Sequence, residues 1–187
     1  MSNYINNEDF LNAMIVYKEE IKQAENEGKQ TPPVPDYIGE CFLLIAERLS
    51  YRPNFINYAF KEDMISNGIE NCLQYVNNFN PEKSKNPFAY FTQIIYWAFV
   101  RRIQKEKKQL YIKYKEMERL QYLEDHIDTN SGDNSDYLSL VGSADTRNMI
   151  AEFIEDFEEK RFKKRKKKDD KISNIATVYD YENSLNN

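Results

Sequence analysis

An all-helical fold is what this sequence predicts, and three features predict it. Only five glycines and six prolines punctuate 187 residues, too few for the turns that many short strands would need. Lys, Glu, Ile, Tyr and Phe are abundant, so the punctuation that a short-stranded fold needs is scarce. Apolar residues, 41% of the chain, instead recur at spacings of three and four, which places them on one face of a helix. That share furnishes one core, so the expected organisation is a single domain with appendages.

Asn6 or Asn7 caps a first helix running to about Lys29, with Phe10, Met14, Tyr17 and Ile21 on its apolar face and Gly28 as its stop. Three prolines between Thr31 and Pro35 break it and make a linker or extended brace. Asp36 caps a second helix to about Tyr51, facing inward through Ile38, Cys41, Phe42, Ile45 and Leu49. A third covers roughly Phe60 to Asn78, burying Met64, Ile65, Ile69, Cys72, Leu73 and Val76. Asn86-Pro87 starts a long fourth helix, because proline suits the first helical position, and the helix persists to about Asp125. Asp128 to Asp136 has the composition of a mobile loop. A last helix spans Asp145 to about Lys168, with Met149, Ile150, Phe153, Ile154 and Phe157 as its stripe.

The expected domain limits are 1–35 for the first helix and linker and 36–126 for the main helical domain. Residues 127–144 make the loop, 145–170 the charged helix, and 171–187 a tail without a core-forming pattern. Cys41 and Cys72 lie in apolar segments without metal or redox spacing and read as buried small hydrophobes. The chain lacks a basic-then-apolar leader and any run near the roughly 20 apolar residues that cross a bilayer. A reducing cytoplasm, away from membranes, is the expected compartment.

The formal charge is −5, yet the charge is segregated. Arg101, Arg102, Lys105, Lys107, Lys108, Lys113 and Lys115 face only Glu106 in their stretch, and Lys160 to Lys168 reads KRFKKRKKK. Two positive stripes on an acidic body contact phosphates locally. Within ten residues stand Tyr90, Phe91, Tyr96, Trp97 and Phe99. Most rings at helical spacing are core; Tyr90, Tyr96 and Trp97, with polar edges, are the expected exposed ones. Stacked on unpaired bases, each contributes roughly 1 to 3 kcal/mol, with Arg and Lys holding phosphates alongside.

The stretch DMISNGIENCLQYVNNFNPEKSKNPFAYFTQIIYWAFVRR, from Asp63 to Arg102, resembles conserved region two of bacterial sigma factors. It matches without a gap at Asp63, Ile65, Gly68, Val76, Phe79, Tyr90, Thr92, Ile95, Ala98 and Arg101. With Tyr37 to Phe55, the match covers about a third of the chain. The whole chain is similar to the late-transcription sigma factors of T-even-type bacteriophages in size, in LLIAERLS (Leu43 to Ser50), in the KNP turn (Lys85 to Pro87) and in RIQKEKK (Arg102 to Lys108).

The resemblance implies a region-two helical bundle in the cytoplasm of an infected bacterium, directing host core RNA polymerase to late promoters. Asp63, Ser66, Asn67, Glu70 and Gln74 become candidates for docking on the coiled coil of the polymerase's largest subunit. Phe79 and Tyr90 match positions around a flipped adenine of a TATA-like minus-ten element, and Trp97, Val100 and Arg101 match its double-stranded edge. Lys83, Lys85, Tyr96, Arg102 and Lys105 complete the expected promoter-DNA set.

Departures from the family are specific. Gln93 and Ile94 stand where primary sigma factors carry a tryptophan wedge, and Lys85 stands for a pocket tyrosine. No region-four helix-turn-helix follows, so no second upstream element is expected. In the phage family a C-terminal tail binds the DNA sliding clamp instead, acting with a late co-activator. Ile175, Val178, Tyr179 and Tyr181 are its counterparts here. For Lys160 to Lys168, sequence-independent phosphate contact is expected, by counterion release.

Enzyme readings find no support in the residues. His126 is the sole histidine, without partners for a metal or for acid–base work, and no phosphate loop or nucleophile elbow is present. Asp128 to Asp136 lacks the terminal Glu of a calcium loop. Neither metal nor cofactor is expected. Two rival classes are a helical nucleic-acid-binding protein acting without polymerase and a structural adaptor whose basic runs are solvated faces.

Overall fold

Every described element is helical. The computed structural model describes residues 5–126 and 144–185, with side chains described for 5–120 and 144–167. The helices are α1 (Asn7–Asn26), α2 (Asp36–Ser50), α3 (Lys61–Tyr75) with a single 3₁₀ turn after it (Val76–Asn78), α4 (Pro87–His126) and α5 (Ala144–Leu185). The chain divides into two compact units, residues 1–106 and 107–187, with the boundary inside α4. The first unit therefore takes in the N-terminal helix expected as an appendage and ends twenty residues short of His126.

Phe10, Met14, Tyr17 and Ile21 are all buried on α1, as their spacing requires. Asn6 is the cap; its side-chain oxygen accepts from the Glu8 backbone N–H at 3.0 Å. Gly28 adopts a φ of +67°, the left-handed conformation in which glycine closes a helix without Cβ strain. The proline-rich segment is a brace: the Tyr17 hydroxyl donates to the Pro32 carbonyl at 3.2 Å, and Val34 packs against the core.

On α2 the inward face is Ile38, Cys41, Phe42, Ile45, Ala46 and Leu49. Asp36 is the first helical residue and Pro35 occupies the cap without a side-chain bond, a correction to the expected Asp36 cap. Its carboxylate in the first turn instead complements the helix dipole. The ring of Phe42 lies 4.6 Å from Phe91 of α4 and 6.2 Å from Phe10 of α1, so one aromatic cluster joins three helices. Between α2 and α3 the irregular segment is held by Phe55, which is 3% exposed and stands edge-on to Phe99 at 5.2 Å.

Helices α3 and α4 meet at Gly68. A Cβ there would lie 3.0 Å from Ile95 Cγ2 and 3.1 Å from Phe99 Cε1, so glycine sets how closely the two helices approach. Asn86 caps α4 through the Ala89 N–H at 2.9 Å, with Pro87 at the first helical position. Asn7 reaches across from α1: its side-chain N–H donates to the Lys85 carbonyl at 3.1 Å and its oxygen accepts from the Phe88 N–H at 3.3 Å.

The second unit contains an antiparallel helical hairpin. Tyr111 stacks on Phe157 at 4.5 Å and Tyr114 meets Phe153 edge-on at 5.3 Å. Ile150 and Ile154 are buried, whereas Met149, expected on the same stripe, is 54% exposed. Backbone α5 runs on to Leu185 instead of ending near Lys168. In the sequence, Ile172, Ile175, Ala176 and Tyr179 recur at helical spacing beyond Lys168, a pattern that the expected boundary left out. The expected loop at Asp128 to Asp136 and the side chain of His126 lie outside the described residues. No described helix is long and apolar enough to cross a membrane.

Candidate nucleic-acid and partner interface

The aromatic segment of α4 splits into two faces. Phe91, Ile95, Ala98 and Phe99 are buried. Tyr90, Gln93, Ile94, Trp97 and Arg101, separated by three, one, three and four residues, form the outward stripe, and with Tyr75 at the end of α3 they line a cleft of about 300 Å³. That volume is at the lower end of pockets that hold a small organic group. Three aromatic side chains and one cation line it, with no carboxylate, an arrangement suited to a planar group joined to an anion.

Trp97 is 50% exposed and Tyr90 half-buried. The Tyr90 hydroxyl has its pKa raised, first by burial and then by the neighbouring Cys72, so it stays a neutral hydrogen-bond donor at physiological pH. Arg101 is held from α3: its guanidinium donates to Asn71 Oδ1 at 2.6 Å. Tyr75 was not singled out from the sequence; its only signal was an aromatic ring lying off the apolar face of Cys72 and Val76.

Other expected DNA-facing residues lie elsewhere. Phe79 is a correction: 1% exposed, it packs between Tyr90 at 5.3 Å and Phe91 at 5.9 Å, and so supports the Tyr90 ring from beneath. Tyr96 is 37% exposed but stands edge-on to Phe55 at 5.6 Å and Trp97 at 5.4 Å, outside the cleft. Val100 is partly buried against the core. Lys83, Lys85 and Lys105 are exposed. Lys83 and Lys85 sit on a turn shaped by Asn80, whose side chain accepts from the Glu82 N–H at 2.8 Å.

Arg102 departs most from expectation. Its guanidinium pairs with Asp63 at 3.1 Å and Glu106 at 2.8 Å, and the side chain is 22% exposed. A DNA candidate and a polymerase candidate are thus bonded to each other, tying α3 to α4. Asn67 is also occupied: its amide donates to the Asp63 carbonyl at 2.6 Å, and Asn71 donates to the Asn67 carbonyl at 2.7 Å. Positions 63, 67 and 71, four apart, make one polar stripe directed at Arg101 and Arg102 in the middle of α4.

Ser66, Glu70 and Gln74, also four apart, make a separate stripe that is exposed throughout. Leu73, expected in the core, joins it at 44% exposure, because seven residues after Ser66 the helix returns to the same face. The five polymerase candidates therefore divide into an inner pair and an outer three beside an apolar side chain, the composition of a modest docking surface.

Backbone at Ile175, Val178, Tyr179 and Tyr181 is helical; their side chains lie outside the described ones. Among the described residues no group of three or more His, Cys, Asp or Glu is placed to hold a metal ion. Cys41 and Cys72 are buried free thiols. No family model matches the chain, and no curated protein matches it.

Proposed function

We propose that this protein is a sigma factor of the phage late-transcription type, which binds bacterial core RNA polymerase and directs it to a TATA-like minus-ten element. The observation that carries the reading is the cleft formed by Tyr75, Tyr90, Trp97 and Arg101 on a stretch whose residues resemble region two. In this reading Trp97 and Tyr90 stack on bases, Arg101 holds the adjoining phosphate, and Phe79 sets the depth of the pocket. Ser66, Glu70, Leu73 and Gln74 meet the coiled coil of the polymerase's largest subunit.

Without a tryptophan wedge at Gln93 and Ile94, strand opening depends on the polymerase, and without region four no upstream element is read. The sliding clamp, reached through Ile175, Val178, Tyr179 and Tyr181, and a late co-activator are the proposed further partners. The chain directs another machine and carries out no reaction of its own.

Run-off transcription with purified core polymerase on a TATAAATA-like promoter is the direct test. Full-length chain confers a defined start, and Trp97→Ala lowers that start on the order of ten- to a hundredfold, the equivalent of one lost stacking contact. Glu70→Lys with Gln74→Lys abolishes co-elution with core polymerase. These positions are the better probe, because Asp63→Arg would also break the Arg102 pair. A chain that neither associates with core polymerase nor alters its start sites would leave the proposal without foundation.

A further inference from the structure

The basic runs at Lys107 to Lys115 and Lys160 to Lys167 lie some 50 residues apart in sequence but not in the second unit. Tyr111 stacks on Phe157, and Tyr111 and Lys115 both bond Glu158, at 2.8 and 3.3 Å. Tyr114 meets Phe153. The helices are therefore antiparallel, and moving from Tyr111 toward Lys107 on α4 corresponds to moving from Phe157 toward Arg161 and beyond on α5. Lys107 and Lys108 of the first run, and the second run, thus lie toward one end of the hairpin, while Lys113 and Lys115 lie nearer its middle. Asp145, Glu152, Glu155 and Asp156 of α5 lie toward the other.

Ion pairing does not neutralise that end. Lys160 and Lys163 pair with Asp156 and Glu159 along their own helix. Lys107, Lys108, Lys164, Arg165, Lys166 and Lys167 are exposed and have no ion-pair partner among the described residues. Like charges brought together by folding repel one another, and the arrangement is favourable when a polyanion lies across it.

We infer that this end of the α4–α5 hairpin is a sequence-independent binding site for the phosphate backbone of duplex DNA, built jointly from Lys107 and Lys108 of α4 and Lys164 to Lys167 of α5. It goes beyond the promoter reading, since it needs neither the cleft nor polymerase. The stretch from Lys160 to Lys167 is about 12 Å long, which lies beside roughly seven phosphates of a duplex. Base stacking is not the chemistry here, because Tyr111, Tyr114, Phe153 and Phe157 are spent on one another. A membrane surface fits less well: interfacial helices need an apolar face beside the cations, and Ile150 and Ile154 are buried within the hairpin, leaving only isolated exposed apolar side chains, Ile112 and Phe162, among the described residues of the two basic runs.

The test uses the full-length chain without polymerase and a fluorescent duplex of about 20 base pairs lacking any TATA-like element, with affinity followed by anisotropy as salt is raised. The logarithm of the association constant falls linearly with that of salt, with a slope of about −4 to −5. Lys107→Gln with Lys108→Gln, and separately Lys164→Gln with Arg165→Gln, each reduces the slope by about 2 and weakens low-salt binding at least tenfold. Lys107→Arg with Lys108→Arg retains both, and circular dichroism reports unchanged helix content in all three. No duplex binding, or an unaltered slope in either Gln pair, overturns the joint site. Tighter binding to anionic vesicles or to polyglutamate than to duplex assigns the surface to another ligand and overturns it too. None of these failures touches start-site selection, which is read with polymerase present.

Discussion

Residues 1–106 and the hairpin of residues 107–167 are both helix packed on helix, yet they are held together by different means. The first unit encloses Phe10, Phe42, Phe79, Phe91 and Phe99, each 1% exposed or less, and draws on every helix from α1 to α4. Among its described residues the hairpin has two below 9% exposure, Ile150 and Ile154, with half-exposed stacked rings and surface ion pairs around them. Hydrophobic burial grows with the area removed from water, whereas exposed ion pairs add little. A unit that must present a cleft of fixed shape has the buried core; the unit that presents charge has little core and is cheap to open.

The most severe way to break that contrast is Phe91→Ala, at the centre of the aromatic cluster. It costs about 3–5 kcal/mol and lowers the urea midpoint of the first unit's unfolding. An equal loss from Phe157→Ala would mean that the hairpin shares that core.

Alkaline pH gives the next largest effect. Burial pushes the Cys72 thiol up to about 12, against about 8.5 in an unfolded chain. Above the lower value the unfolded state has lost a proton that the folded state keeps, so stability falls as pH rises, by about 1.4 kcal/mol per unit, through a window ending near the folded value. Below the lower value the contribution is fully present. Tyr17 and Tyr90, both raised mainly by burial, act in the same direction at higher pH. Denaturant titrations between pH 8 and 11 check this, and Cys72→Val reduces the early part of the slope, the remainder coming from Cys41, whose thiol is also raised by burial. The same burial leaves Cys72 unreactive toward thiol reagents until the unit unfolds.

Gly68→Ala sharpens the comparison at the α3–α4 contact. Helix propensity favours alanine by about 1 kcal/mol, but Ile95 and Phe99 are fully buried core side chains, and overpacking costs roughly 1–3 kcal/mol. The net result is destabilisation, seen as a lower melting temperature. Smallest is Glu158→Gln in the hairpin. It removes the anion bonded by Tyr111 and Lys115, so amides near Ile150 to Phe157 exchange faster with solvent while those of the first unit keep their rates.

Much of this architecture was legible because burial and helical spacing agree. The α1 face, the two buried cysteines and the Asn86-Pro87 start of α4 follow from local pattern alone. Trp97 and Tyr90 separated from Phe91 and Phe99 by the angular step between neighbouring helix positions. What stayed hidden depended on neighbours distant in sequence. Arg102 reads as a free cation until α3 brings Asp63 beside it, and Phe79 reads as a ligand-facing ring until Tyr90 covers it. Phe55, in an irregular segment, has no periodicity to betray its burial. Leu73 is apolar but lies one step around α3 from Cys72, and that step decides exposure.

Asn7 grips the start of α4 across gaps of 78 and 81 residues, with one amide group serving both the Lys85 carbonyl in the turn and the first N–H of the helix, since Pro87 has none. The start of α1 is therefore a latch for the turn carrying Lys83 and Lys85. A tag fused tightly ahead of Asn7, or a proteolytic cut just after it, would be felt most at those lysines, far along the chain, before any helix melted.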